Sequence, residues 1–168
     1  WLKKHYNTIF MANLLTNMYA NKNKDNVHNI VEACKKNGIN FLPVDINKSD
    51  WEFKQCEEKT IRIGFCAIPM IGKRAAEEIL YGRTYSSMED FINKNKISNN
   101  FIMLIILAGC FNSLSNYSTI MTYNSYCIIN NIIPDYNFKL SKNSNISFDI
   151  KNSSDVYMAN VILGAKFL

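Results

Sequence analysis

Residues Ile61 to Gly82 carry the pattern with the clearest chemical use. A short apolar stretch leads into a tight turn, Ile68-Pro69-Met70-Ile71-Gly72, and then into a helix that opens with Lys73-Arg74. Two helices joined by a glycine-containing turn, with cations in the second helix's first turn, suit a bound phosphate. The first N–H groups of a helix have no intrahelical partner, and the macrodipole there is positive. Met70 and Ile71 add turn amides. Gly72 lets a phosphate approach closely and frees the chain to take positive φ. Lys73 and Arg74 supply attraction that needs no base contact. Such a site grips nucleic acid without reading its sequence. The plain alternative is a capped surface helix with solvated cations.

Other chemistries find less support. Asp45, Asp50, Glu89 and Asp90 fall in turns and caps, with no spacing that suggests a carboxylate pair, so no catalytic residue is assigned. The five cysteines, Cys34, Cys56, Cys66, Cys110 and Cys127, are dispersed and form no Cys-x-x-Cys pair, and only His5 and His28 could assist them. Zinc spacing is therefore absent, no metal site is assigned, and reduced thiols filling a core are expected. Trp1, Trp51 and the Phe and Tyr residues are expected in the core too, because no alternation of basic and aromatic residues builds a stacking platform. His5 is expected to cap or pack, and Lys22 to Lys24 to form a solvated loop. A net charge of +5 permits an anionic partner without demanding one. The apolar run Phe101 to Ala108 falls far short of the ~20 residues that span a bilayer and reads as a buried helix. Lys3, Lys4 and His5 interrupt the apolar run near the start, so no secretory signal is expected there. The expectation is a cytoplasmic protein without membrane contact.

The elements that must position the turn follow from periodicity. Leu2, Tyr6, Ile9, Phe10, Leu14, Leu15 and Met18 recur at helical spacing, and a second helix capped by Asp25 or Asn26 runs through Val27, Ile30, Val31 and Cys34 to stop at Asn37-Gly38. Ile39 to Leu42 predicts a strand, Pro43 to Asn47 a turn, Trp51 to Phe53 an extended piece, and Glu57-Glu58-Lys59 a hairpin turn into a strand from Thr60 to Ile63. Gly64 to Ile68 predicts a short apolar helix broken at Pro69, and Ala75, Ala76, Ile79 and Leu80 one face of the next. Ser86-x-x-Glu89 fits a capping box for a helix that turns Met88, Phe91 and Ile92 inward. A turn through Lys96-Ile97-Ser98 leads to the helix Asn99 to Ala108, closed by Gly109. This repeats the helix-turn-helix pattern in tandem; the second pair, with an apolar helix and no glycine in its turn, reads as structural, and Lys94 and Lys96 are its candidates for touching phosphate. The fold class is mainly α (α+β), in three parts. Residues 1–63 form a helical segment with a small β element, 64–114 a tandem helix-hairpin-helix unit, and 115–168 a helical segment with a Ser/Asn-rich linker. The first residue is not Met and lies within a helical pattern, so the chain reads as a fragment of a longer polypeptide.

Four blocks in order resemble the alpha subunit of bacterial DNA polymerase III. Trp1-Leu-Lys-Lys-His-Tyr with Phe10-Met-Ala is similar to the end of that family's fingers. Leu42-Pro-Val-Asp-Ile-Asn-Lys-Ser-Asp-Trp-Glu-Phe53 resembles its L-P-P-D-I-N-x-S segment. Ile61-Arg-Ile-Gly-Phe-Cys-Ala-Ile-Pro-Met-Ile-Gly72 resembles its hairpin, and Leu107-Ala-Gly-Cys-Phe-Asn-Ser-Leu114 its L-I-x-A-G-A-F-D-S-L. The resemblance implies a non-catalytic part of a replicative polymerase that holds duplex DNA. Met70, Ile71, Gly72, Lys73 and Arg74 would be its DNA-binding residues, while the metal-binding palm carboxylates lie upstream in the family. No cofactor is expected in this stretch, although the parent enzyme would use magnesium ions; its partners would be duplex DNA, the rest of the polymerase chain and a sliding clamp. The chain departs from the family pattern where Pro69 stands in place of Lys and Met70 in place of Gly. Proline removes one N–H donor and methionine adds bulk at the phosphate's approach. Two other readings compete. One is a helix-hairpin-helix glycosylase or lyase with Asp90 as its catalytic carboxylate, although Asp90 follows a capping pattern. The other is a non-enzymatic scaffold that has lost DNA contact.

Overall fold

The structure, a computed structural model, describes residues 7–21 and 26–114. The elements in chain order are α1 (Asn7–Ala20), α2 (Val27–Lys36), β1 (Asn40–Leu42), β2 (Lys54–Glu57), β3 (Thr60–Arg62), a 3-10 turn (Phe65–Ala67), α3 (Lys73–Tyr81), α4 (Met88–Lys94) and α5 (Asn99–Leu107). This is a mainly helical α+β fold with a small sheet and a helix-hairpin-helix region, as the periodicity implied. The stretch from residue 115 onward, together with Trp1 to Tyr6 and Lys22 to Asp25, lies outside the described residues.

Thr8, Ala12, Leu15, Thr16 and Tyr19 are the buried stripe of α1. The expected face included Ile9 and Phe10, but each is 44% exposed, because the stripe passes through Thr8 and Ala12 and leaves these two further round the helix. Threonine hydroxyls then fix α1 to the β element. Thr8 donates to the Glu58 carbonyl at 2.8 Å, and Thr16 accepts the Phe53 N–H at 2.9 Å while donating to its own helix at Ala12. The Tyr19 ring stacks on Phe53, centroids 5.5 Å apart. Helix α2 buries Val27, Val31 and Cys34. Asn26 holds the N-cap position, yet its side chain makes no capping bond. The helix closes at Gly38, whose φ of 71° allows the Ile39 N–H to reach the Cys34 carbonyl at 2.9 Å.

In the sheet, β3 lies between β1, which it pairs in parallel, and β2, which it pairs antiparallel with an irregularity between Gln55 and Glu57. The predicted extended piece at Trp51 to Phe53 is displaced: the strand is Lys54–Glu57, and the turn is Glu58-Lys59. The reason lies in the backbone, since the carbonyls of Asp50 and Trp51 accept the N–H groups of Phe65 and Cys66, each at 2.9 Å, and are engaged outside the sheet.

A cluster of buried residues runs from Ala12 to Phe111, with Phe65, Phe91, Phe111, Ile61, Ile68, Ile79 and Ile105 among its largest fully enclosed members. In α5 every residue from Ile102 to Ile106 is buried, which is why its sequence is apolar all round. Among the described residues no helix is long and apolar enough to cross a membrane. Cys34, Cys66 and Cys110 fill the core as expected, and burial pushes the Cys34 and Cys66 thiols up to about 11 and about 12. Cys56 is the correction: it lies exposed on β2, an edge strand of the sheet. Cys127 lies outside the described residues.

Gly64 marks the tightest approach in this core. A Cβ there would lie 2.4 Å from the Glu52 carbonyl carbon and oxygen and 2.5 Å from the Trp51 oxygen, all of them backbone atoms. Gly64→Ala is expected to destabilise the fold by about 3 kcal/mol, because main chain cannot yield as a side chain can. Chemical denaturation measures this directly, and a loss under about 1 kcal/mol would contradict the packing described here.

Candidate nucleic-acid interface

The predicted first helix of the hairpin is only a 3-10 turn, with Ala67 and Ile68 N–H groups bonded to Gly64 and Phe65. Pro69 explains the shortening. Proline disfavours the helical region for the residue before it, and Ile68 accordingly has φ −76°, ψ 121°. The chain then turns at Met70, whose φ is 66° and whose side chain is 71% exposed. Gly72, expected to take the positive φ, instead has φ −85°, ψ 161°, which any residue adopts. The left-handed residue is Met70, where the resembling family carries glycine. Methionine there costs about 1 kcal/mol that glycine would avoid.

The five sequence-predicted residues are not equivalent. Ile71 is buried, and its N–H is bonded to the Ile68 carbonyl at 3.3 Å, so it pins the turn from inside and offers no amide outward. Met70, Gly72, Lys73 and Arg74 lie on the surface. Among the described residues the Met70 and Gly72 N–H groups have no acceptor, and Gly72 caps α3 without a side-chain hydrogen bond, which leaves the helix's first-turn amides open. Nothing lies within 4 Å of a Cβ placed on Gly72. Arg74 is almost wholly in solvent, with only a 4.0 Å ion pair to Glu78.

A polar turn below the hairpin holds it in place. The Asp45 carboxylate accepts the N–H groups of Asn47 and Lys48 at 2.8 and 3.0 Å. The fully buried Ser49 hydroxyl accepts the Asp45 N–H at 2.9 Å and donates to the Ile63 carbonyl at 2.8 Å, just before Gly64. Asn47 reads both backbone groups of Tyr85: its Nδ2 donates to the carbonyl and its Oδ1 accepts the N–H, each at 2.8 Å. Arg83 completes the ring, donating to the carbonyls of Ile46 and Ser49, pairing with Asp50 at 3.6 Å and lying 5.9 Å over the Phe65 ring. Burial draws the Arg83 guanidinium below its ordinary value, against the opposing pull of Asp50.

The second hairpin joins α4 to α5. Its capping box stands one residue later than the sequence suggested: Ser87 is the N-cap and accepts the Asp90 N–H at 3.1 Å, while the Asp90 carboxylate accepts the Ser86 N–H at 2.9 Å. The Asp90 carboxylate thus reaches one residue beyond the cap, to Ser86, in place of the Ser86-to-Glu89 pairing. Lys94 donates to Asp90 and to the Thr84 carbonyl, both at 3.0 Å, so it is largely engaged. Tyr85 ties the hairpins together, its hydroxyl donating to the Ile79 carbonyl of α3 at 2.8 Å and its ring meeting Phe91 edge to face. Phe91 in turn meets Phe111.

These features define a helix-hairpin-helix protein, and the helix-hairpin-helix motif family matches residues 38–119. The chain is 30% identical over 138 residues to DNA polymerase III subunit alpha of Neisseria meningitidis serogroup A, which covers 78% of this chain and 12% of that one. It is 33% identical over 128 residues to the same subunit of Vibrio cholerae, with 72% and 11% covered. It is 34% identical over 118 residues to that of Aquifex aeolicus, with 66% and 10% covered. The chain belongs to the DNA polymerase III alpha-subunit family, and it spans about one tenth of the length of the curated relatives it matches.

The magnesium ions implied for the family do not fit the carboxylates here. Asp45 is taken up by backbone amides, Asp50 by Lys54 and Arg83, and Asp90 by its cap and Lys94. Among the described residues no three His, Cys, Asp or Glu side chains gather as metal ligands. His5 and Lys22 to Lys24 lie outside the described residues. Sequence reading missed Arg83 and Asn47 as supports of the hairpin, since their partners are main-chain atoms more than thirty residues away.

Asn47→Ala strips both backbone groups of Tyr85 of their partners and is expected to lower stability by about 2 kcal/mol, seen as a fall in the urea midpoint at unchanged m-value. The Ser86 N–H first, and then Lys94, holds the Asp90 carboxyl below its ordinary 3.8. A depressed value means the cap's contribution is present above about pH 4 and is lost as pH falls through the lowered value. Side-chain NMR titration checks this; an ordinary or raised value for Asp90 would refute the box.

Proposed function

We propose that this chain grips the sugar–phosphate backbone of duplex primer-template DNA, without reading its sequence, as the helix-hairpin-helix portion of a replicative DNA polymerase. The observation that carries the reading is the open edge at Met70 and Gly72, where unpaired amides and the first turn of α3 meet exposed Lys73 and Arg74. Amides at a positive helix end accept a phosphate oxygen, and two cations beside them add attraction that depends on charge alone. Family membership and the helix-hairpin-helix match support the same reading. In it, nucleotide transfer belongs to palm carboxylates elsewhere in the polymerase, together with deoxynucleotides, magnesium ions and a sliding clamp, in the cytoplasm. This stretch contributes hold and alignment. In this reading Asp90 serves its helix cap and not base excision, its Oδ2 accepting from Ser86 and Lys94.

Fluorescence anisotropy of the 168-residue chain with labelled duplexes tests the reading. Binding is expected to be equal for unrelated sequences and to fall with salt. Lys73→Glu/Arg74→Glu is expected to weaken it about tenfold and to reduce the slope of log K against log salt by about 1–2, roughly 0.9 per lost phosphate contact. Met70→Gly, which removes bulk from the approach, is expected to tighten it. No binding at low salt would leave a scaffold in place of a DNA grip, and release of a damaged base that is lost in Asp90→Asn would make the chain a glycosylase.

A further inference from the structure

Helix α3 presents two unlike sides. On one, beyond Lys73, Glu77 faces a groove whose wall carries Asp50, Glu52, Glu57 and Glu58 with Lys54 as its one cation among the described residues, an acidic balance that disfavours phosphate there. On the other, Arg74, Tyr81, Lys94 and Lys96 line an open depression of about 620 Å³ between α3 and the turn of the second hairpin, with Glu77 and Glu78 along its α3 edge.

Tyr81 is the unexpected member. The sequence placed the tyrosines in the core, yet this one is 95% exposed, at the last position of α3. Its hydroxyl makes no hydrogen bond among the described residues, and its ring is packed against nothing that would explain an aromatic residue there. Lys96 stands exposed across the depression and forms no ion pair among the described residues. Lys94, held by Asp90 and Thr84 and 5.6 Å over the Tyr85 ring, is a fixed charge at the rim. Glu77 and Glu78 contribute two opposing carboxylates; Glu78 lies 4.0 Å from Arg74, a pair loose enough for a phosphate to displace.

We propose that this depression is a second backbone-binding site. It takes the next phosphates of the strand held at Met70 to Arg74, with Lys96 and Arg74 at phosphate oxygens and Tyr81 donating its hydroxyl to one of them while its ring lies on a deoxyribose. The inference rests on the reading given under Proposed function and gives the strand a direction. From the hairpin it passes over the Arg74 and Tyr81 side of α3, away from the carboxylate groove. Tyrosine hydroxyls and lysines are ordinary phosphate contacts, and an exposed ring loses little conformational freedom when it docks.

The shared chemistry is a deoxyribose-phosphate backbone, so the test carries both a duplex and a single strand of equal length. Anisotropy titrations of the full chain compare Tyr81→Phe, Tyr81→Ala and Lys96→Ala with the unchanged protein, and thermal melts by circular dichroism check that these exposed substitutions leave the fold intact. Duplex affinity is expected to fall about threefold in Tyr81→Phe and about fivefold or more in Tyr81→Ala and Lys96→Ala. Lys96→Ala is also expected to lower the salt slope by about 0.9. Full duplex affinity and slope in all three variants, while Lys73→Glu/Arg74→Glu still loses binding, overturns this inference and leaves the hairpin reading standing. A loss confined to the single strand in Tyr81→Ala overturns it in favour of base stacking. If the unchanged chain fails to bind duplex at low salt, both readings fall together.

Discussion

The hairpin's position depends on the polar ring built by residues 45 to 51. Within seven residues this turn binds four other parts of the chain: Ile63 through Ser49, Tyr85 through Asn47, the turn after α5 through the bond from Ile46 to Cys110, and Phe65 and Cys66 through the carbonyls of Asp50 and Trp51. Asp45 and Ser49 are buried while doing so. Buried polar groups are tolerated only when paired, and a partly satisfied network costs more than an apolar core would. Here Asp45, Asn47 and Ser49 each hold main-chain partners in a fixed direction. The arrangement therefore specifies orientation in a way that apolar packing alone does not.

That constraint explains why the β element precedes the hairpin in the chain. The sheet is too small to form a core of its own. What it does is deliver Ile63 and Gly64 to the ring at a fixed height, with Gly64 lying against the Glu52 backbone at a distance no side chain could occupy. From there the 3-10 turn has one available path, and Ile68 and Ile71 anchor both ends of the bend in the core. The exposed edge at Met70 and Gly72 is thus held by buried residues on either side. Its amides are presented without being held by one another, which is what a site for an external acceptor needs.

Legibility in the sequence followed the range of the interaction. Helices α2 to α5 and the Gly38 stop were visible, because periodicity and caps are local signals. Ile9 and Phe10 were misplaced because the polar residues of α1, Asn7, Thr8, Asn13, Thr16 and Asn17, are spread round the helix and single out no face; Thr8 and Thr16 set the choice by reaching backbone on either side of β2, 50 and 37 residues away. The strand at Lys54 was misplaced because the backbone of Asp50 and Trp51 is claimed by Phe65 and Cys66, which no local pattern reveals. The capping box shifted by one residue because two serines in a row leave the choice to the carboxylate. Lys73 and Arg74 were legible as exposed cations, whereas Gly72's role was misread. A glycine in a turn suggests positive φ, and only the geometry assigns that to Met70.

The bend that results offers less to a phosphate than the family's pattern implies. Pro69 has no N–H, the Ile71 amide is turned inward, and the Met70 side chain stands at the approach. Two turn amides and the first turn of α3 remain, beside two cations. Hydrogen bonds to a charged acceptor contribute about 1.5–3 kcal/mol each, so losing one or two shifts the balance toward charge, and a charge-led grip is the more sensitive to salt. For a segment acting alone that would be a weak hold. Within a longer polymerase, as proposed, it need not be strong: a contact tethered to other contacts on the same duplex works at high effective concentration, and its value lies in fixing the angle at which the duplex leaves. The polar ring fits that division of labour. On the proposed reading it fixes the hairpin's orientation beneath a surface with few contacts to offer, so that a duplex is aligned and still moves past.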